Sequence, residues 1–226
     1  MKKLLSLTLF ILPWFILNGQ QGIMTFKVVH LQIPDSVVSP QINSMQKNLS
    51  SMFTMRIYFR PGMSRMEVEA LNGVLYLQNF WSTNKGELTI YSDVFGRRTK
   101  TRLQKNEIDK LMEVSQDSLL GNEIIRTSQY KSIMGLKCQL VKFKQHDGEL
   151  WISPDLHIPV IGYGLERFGL YGLGGFPLEY SINISGMSMI IRAVGLTNNT
   201  SKDDFLQPGG YESINWDEFS KQGFRF

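Results

Sequence analysis

Cys138 is the single cysteine of this 226-residue chain and the first residue to weigh as a nucleophile. A thiolate nucleophile needs a nearby base and an electropositive setting. Neither stands beside it in Leu136-Lys137-Cys138-Gln139-Leu140, where apolar and polar residues alternate. That pattern reads as a small buried hydrophobe on a strand. His30, His146 and His157 are far apart, and none has a second ligand at metal spacing. Asp203-Asp204 lacks the oxygen-ligand spacing of a calcium loop and reads as a turn or helix cap. Neither Gly-x-Ser-x-Gly nor His-Glu-x-x-His occurs. No catalytic residue, metal centre or cofactor is therefore expected. Twenty acidic residues still leave open a carboxylate pair assembled in space.

Two stretches have the composition of binding surfaces. Gly162, Gly164, Gly169, Gly172, Gly174 and Gly175 form a glycine-rich segment. Phosphate-cradling loops place such glycines between a strand and a helix N-terminus. Here Pro177 and a strand follow, so the segment reads as a connection or as a lid over an apolar site. Tyr163, Phe168, Tyr171 and Phe176 would be its docking surface. Arg97, Arg98, Lys100, Arg102 and Lys105 form the densest basic run. Arg98, Lys100 and Arg102 share one face of a strand. Cations there solvate and protect an edge, or steer toward anionic headgroups over roughly a Debye length, about 8 Å. The formal net charge is +4. Lys2 and Lys3 account for two of those charges, leaving +2 if they are removed. No bulk field favours nucleic acid.

The elements that must position these residues begin after an N-terminal address. Met1-Lys2-Lys3 is basic, Leu4 to Leu17 is almost wholly apolar, and Asn18 to Gly22 is polar and small. This is the layout of a secretory signal peptide. The run falls short of the roughly 20 residues a spanning helix needs. Residues 1–20 are read as the signal peptide, cut near Gln20, with no cysteine to acylate, and residues 21–226 as one domain. The expected location is the periplasm or the medium.

The remainder reads mainly as strands. Val29, Leu31 and Ile33 alternate with polar residues, and a short helix is expected over 41–52. Five strands then follow in meander, near 55–59, 63–71, 74–81, 88–94 and 97–103, joined by turn signals. Asn72-Gly73 is read as a type I′ turn. A second helix is expected near 105–115, then strands near 123–134, 136–143 and 149–153. An irregular segment covers 154–177, a hairpin spans 178–196, and a polar tail carries a helical candidate at 216–221. The fold class is mainly β: one curved antiparallel sheet forming an incomplete, open β-barrel covered by short helices. Such a sheet must curl or close to cover its apolar face. Met55, Ile57, Phe59, Leu75, Leu77, Trp81, Ile90, Met187, Met189 and Ile191 are the candidates for its inner, ligand-binding face. Met fills irregular space and adapts to varied apolar partners.

Several short motifs carry a resemblance. They are Tyr58-Phe59-Arg60-Pro61-Gly62-Met63-Ser64-Arg65-Met66-Glu67, Gly148-Glu149-Leu150-Trp151-Ile152-Ser153-Pro154-Asp155, Gly175-Phe176-Pro177-Leu178, and Asp203 through Tyr211. With them the mature chain resembles a family of exported envelope proteins similar to the LolA/LolB-like lipoprotein-carrier fold. Tyr171-Gly172-Leu173-Gly174-Gly175-Phe176-Pro177 adds a looser similarity to the GLPGLI group. The resemblance implies an open barrel with helices over an apolar cavity, which in the carriers holds acyl chains. No site residue is carried across. The expected function is a periplasmic binding protein for a lipid-like ligand, with a lipid or acylated protein as partner, transient membrane contact, and a monomeric state. The alternative is a non-catalytic structural or protein-interaction module docking through an open sheet edge.

Overall fold

The computed structural model describes residues 21–32, 53–110, 124–143, 148–158, 174–184 and 187–221. The helix expected over 41–52 lies outside them; of the second helix, 105–110 are described and helical. The meander is present as β2 (Phe53–Arg60), β3 (Met63–Ala70), β4 (Leu75–Ser82), β5 (Glu87–Val94) and β6 (Arg97–Gln104). Its turns follow from local chemistry. Arg60 pairs with Met63, so Pro61-Gly62 is the whole connection and Gly62 takes φ +77°. Phe95 and Gly96 both have positive φ between the paired Val94 and Arg97. That is the turn whose twist matches two antiparallel strands. Asn72-Gly73 behaves differently from the type I′ expectation. Ala70 pairs with Leu75, so four residues make the turn. Leu71, Asn72 and Gly73 all take positive φ, and Val74 N–H closes a 3₁₀ turn on the Leu71 carbonyl at 3.3 Å.

The other strands are β1 (Gly22–Gln32), β7 (Ile124–Ile133), β8 (Leu136–Phe143), β9 (Glu149–Ser153), β10 (Phe176–Ile184), β11 (Met187–Thr197) and the two-residue β12 (Glu212–Ser213). All twelve form one sheet in the order β12-β6-β5-β4-β3-β2-β1-β11-β10-β9-β8-β7, unclosed between β12 and β7. Every pairing is antiparallel except β12 with β6. The fold is therefore mainly β, an incomplete barrel with few short helices. Its curl can be read from one contact. Tyr180 on β10 and Met55 on β2 have β11 and β1 between them, roughly three strand spacings of about 4.8 Å. Yet the Tyr180 hydroxyl lies 3.9 Å from Met55 Sδ. Upright side chains meet over that span when the sheet bends toward them.

The tail does what its polar composition did not announce. Phe205 lies under the Arg60 guanidinium on the outer face, and Arg65 donates to the Asp204 carbonyl at 2.6 Å. Gln207 accepts from the Tyr91 hydroxyl at 3.0 Å, and Tyr211 meets the Tyr91 ring edge-on at 5.1 Å. The chain then crosses the β6 edge, where β12 pairs with Thr99 and Lys100 and Ile214 N–H bonds the Lys100 carbonyl. Helix α1 (Trp216–Ser220), capped by Asn215 accepting from Glu218 N–H at 2.9 Å, turns Phe219 onto the inner face. There Phe219 is buried with Leu88, Ile90, Leu103 and Ile108. Residues 204–220 thus clasp the edge from both sides.

Truncating a buried Phe costs about 3–5 kcal/mol. Phe219→Ala is expected to lower the urea-unfolding free energy by about 3 kcal/mol. A loss under about 1 kcal/mol would mean that the helix rests on the sheet without holding it.

Candidate functional site

Register assigns the inner face residue by residue, because directly paired residues of neighbouring strands point the same way. One row runs Met24, Ile57, Met66, Asn79, Ile90, Thr101, and the next Phe26, Met55, Val68, Leu77, Ser92, Thr99. A third runs Gly22, Phe59, Ser64, Trp81, Leu88, Leu103. From the other half, Ile191, Tyr180, Leu150 and Val141 form a continuous row across β11, β10, β9 and β8. Phe26 joins the halves, its ring 6.4 Å from Phe176 and 6.3 Å from Tyr180.

The structure brings most of the expected ligand-binding residues together. Met55, Ile57, Phe59, Leu77 and Ile191 are buried in the main cluster, with Leu75 and Met189 half-buried against it. Trp81 and Ile90 share the inner face but belong to the second cluster, under Phe219. Met187 opens β11 opposite Ile184; its side chain lies outside the described residues. Met24, Phe26, Met66 and Val68 complete the face and were missing from the expected set, although the alternation Ser64, Met66, Val68 was there to be read.

The lid expectation is corrected at Phe176. This residue is the first of β10, pairs with Ser153, and is fully buried against Phe26, so it is core. Gly175 explains the local glycine. A Cβ there would stand 2.3 Å from the Ser153 carbonyl oxygen and 2.8 Å from Pro154 Cα. The end of the glycine-rich segment is thus a close backbone approach. Tyr163, Phe168 and Tyr171 lie outside the described residues.

The outer face carries two buried carboxylates. Glu67, 6% exposed, accepts from the Tyr58 hydroxyl at 3.0 Å, the Tyr76 hydroxyl at 2.8 Å and Gln78 Nε2 at 2.7 Å. It also pairs with Arg65 and, at 3.9 Å, with Arg56. Arg65 in turn stacks over Tyr58 and Phe80. Glu179, also 6% exposed, pairs with Arg192 and with Lys131 at 2.6 Å, and Lys131 sits 4.1 Å over the Trp151 ring. Carboxylates saturated in this way bolt strands together. The basic run is partly neutralised: Arg98 pairs with Asp93 at 2.8 Å and Arg102 with Glu87 at 3.5 Å. Asp203-Asp204 forms a turn, in which Asp204 and Ser201 exchange hydrogen bonds at 2.6 and 3.2 Å. Cys138 is fully buried, and burial pushes its thiol up from the ordinary cysteine range.

No family model and no curated protein matches the sequence. Among solved structures, PNGF-II in its P21 crystal form superposes with a TM-score of 0.51 at 14% identity, over 89% of this chain and 32% of that one. Its C2 form gives 0.49 at 12% identity with the same coverage. The Mycobacterium tuberculosis lipoprotein LppX gives 0.36 at 8% identity, over 81% of this chain and 90% of that one. The chain spans about a third of the length of PNGF-II. The likeness to PNGF-II is one of fold: a large antiparallel β unit of this architecture occurs within a longer protein.

A raised thiol pKa keeps Cys138 protonated at mildly alkaline pH, and burial denies it to reagents. Ellman's reagent is expected to find no thiol in the native protein and one per chain in guanidinium. Rapid native modification would place Cys138 at an accessible, activated site.

Proposed function

We propose that this chain is an exported binding protein that holds the hydrocarbon part of a lipid-like amphiphile against the inner face of its open sheet. The observation that carries this reading is the convergence of Met24, Phe26, Met55, Ile57, Met66 and Ile191 on one continuous apolar face of an unclosed sheet. Three of these six are Met, whose unbranched thioether repacks around varied apolar shapes. Met189 stands half-buried at the margin of the cluster, where an acyl chain would enter. The basic start and the apolar run to Leu17 support export. A lipid, or the acyl group of a modified protein, is the partner of this reading, taken up by a monomer in transient contact with a membrane.

A second reading has its own observation. β7 ends the sheet, with no further strand beyond it among the described residues, and Ile125 and Tyr130 on it are exposed. A partner's strand could extend the sheet there, making the chain a docking module with a filled interior.

Native mass spectrometry of protein purified from the exported fraction, together with displacement of a fluorescent fatty acid, separates the two. Co-purified lipid and displacement are expected. Met189→Asp, which sets a carboxylate at the entry, is expected to weaken displacement at least tenfold, about 1.4 kcal/mol, at a temperature where circular dichroism shows the variant folded. A clean apo mass without displacement would sink the binding reading and favour the edge-docking one.

A further inference from the structure

Several buried polar residues interrupt the apolar inner face, and three that lack partners fall on the adjacent strands β4, β5 and β6. Asn79 on β4, Ser92 on β5 and Thr101 on β6 all point inward, and they are only 1%, 1% and 3% exposed. Neither polar atom of the Asn79 amide, nor Ser92 Oγ, nor Thr101 Oγ1 has a hydrogen-bond partner among the described residues. Buried polar groups are almost always paired, so a cluster of orphans on one face calls for an explanation. Register defines their arrangement. Asn79 pairs with Ile90 and Ile90 with Thr101, so the amide and the hydroxyl flank Ile90 in one row. Ser92 lies two residues along β5, beside Leu77 in the next row. The seam separates the main apolar cluster from the smaller one under Phe219.

We infer that this seam recognises the uncharged polar neck of the bound amphiphile, a hydroxyl-bearing ester such as a monoacylglycerol presents, while the acyl chain lies along the main cluster. The inference rests on the binding-face reading above. A buried amide with both ends free needs a ligand that accepts from Nδ2 and donates to Oδ1. A carbonyl beside a hydroxyl does both, and the two protein hydroxyls can take either role. In these rows of β2 to β6 the inner face carries no ionic side chain until Arg97, which faces Val94 at the end of β6. An ionised head placed in the seam would therefore be a buried, unpaired charge. The seam thus selects neutral amphiphiles and leaves any ionic group outside.

Orphaned polar groups carry a signature that ordinary core residues do not: replacing them with apolar isosteres stabilises the ligand-free protein while removing recognition. The experiment uses the full exported chain, Asn79→Leu and the milder Thr101→Val. Each is tested by thermal unfolding and by competition of 1-monooleoylglycerol or 1-octadecene, delivered from cyclodextrin, against a fluorescent fatty acid. The wild type is expected to prefer monooleoylglycerol. Asn79→Leu is expected to raise the melting temperature and cut monooleoylglycerol affinity at least tenfold, leaving octadecene unchanged; Thr101→Val shifts both in the same direction by less. A lowered melting temperature in both variants, or a wild-type preference that survives both substitutions, overturns the seam. Failure of the wild type to bind either probe overturns the binding-face reading as well, so the two failures are told apart.

Discussion

The pairing of β1 with β11 is the contact on which the architecture depends. The chain makes two antiparallel runs, β2 to β6 and β7 to β11, each built from neighbours in sequence. β1 is hydrogen-bonded to β2 on one side and to β11 on the other, and so turns two modest sheets into one large one. It is also the most non-local of the strand pairings, joining Ile23 to Thr197. Contacts of that kind close late and slowly, because the loop entropy comes before the reward. Register shifts at Thr25/Phe26 and Val28/His30 mark the seam. Irregularities of this type bend a strand and raise its twist, which places the curl where the halves meet.

The two faces then divide the work. The inner face is apolar and holds its neighbours by burial, a force without direction that tolerates repacking. The outer face is tied by directional bonds. Glu67 gathers donors from β2, β3 and β4, and through Arg65 reaches the tail. Glu179 ties β10 to β7 and β11. Each carboxylate is expensive to desolvate and is tolerated because cations and phenols meet it.

The meander was legible because its signals were local. Pro61-Gly62, Phe95-Gly96 and the alternation of β2 and β6 required nothing distant. What escaped the sequence was set by distant partners. In β4 both faces look apolar, since Tyr76 and Phe80 alternate with Leu75, Leu77 and Trp81. The outward aromatics are accounted for by the Glu67 hub and by Tyr91, whose ring meets Phe80 at 5.5 Å. Phe176 looked like part of a loop because glycines precede it, yet Gly175 is there to let β10 press on β9. The tail looked merely polar, because its apolar anchors Phe205, Tyr211 and Phe219 are spaced to reach different faces rather than to form a stripe.

The clasp at β6 has a consequence for the order of events in time. A ribosome finishes β6 long before it reaches Glu212, so every nascent chain carries a complete meander whose outermost backbone groups are still bare. Such an edge is a template for another chain. The outward alternate positions of β6 are Arg98, Lys100 and Arg102, the two arginines exposed and Lys100 half-buried. Asp93 and Glu87 on β5 already offset Arg98 and Arg102, so these cations make the margin more polar than repulsive while it is bare. The edge is then open for as long as the last residues are missing, and their arrival seals it.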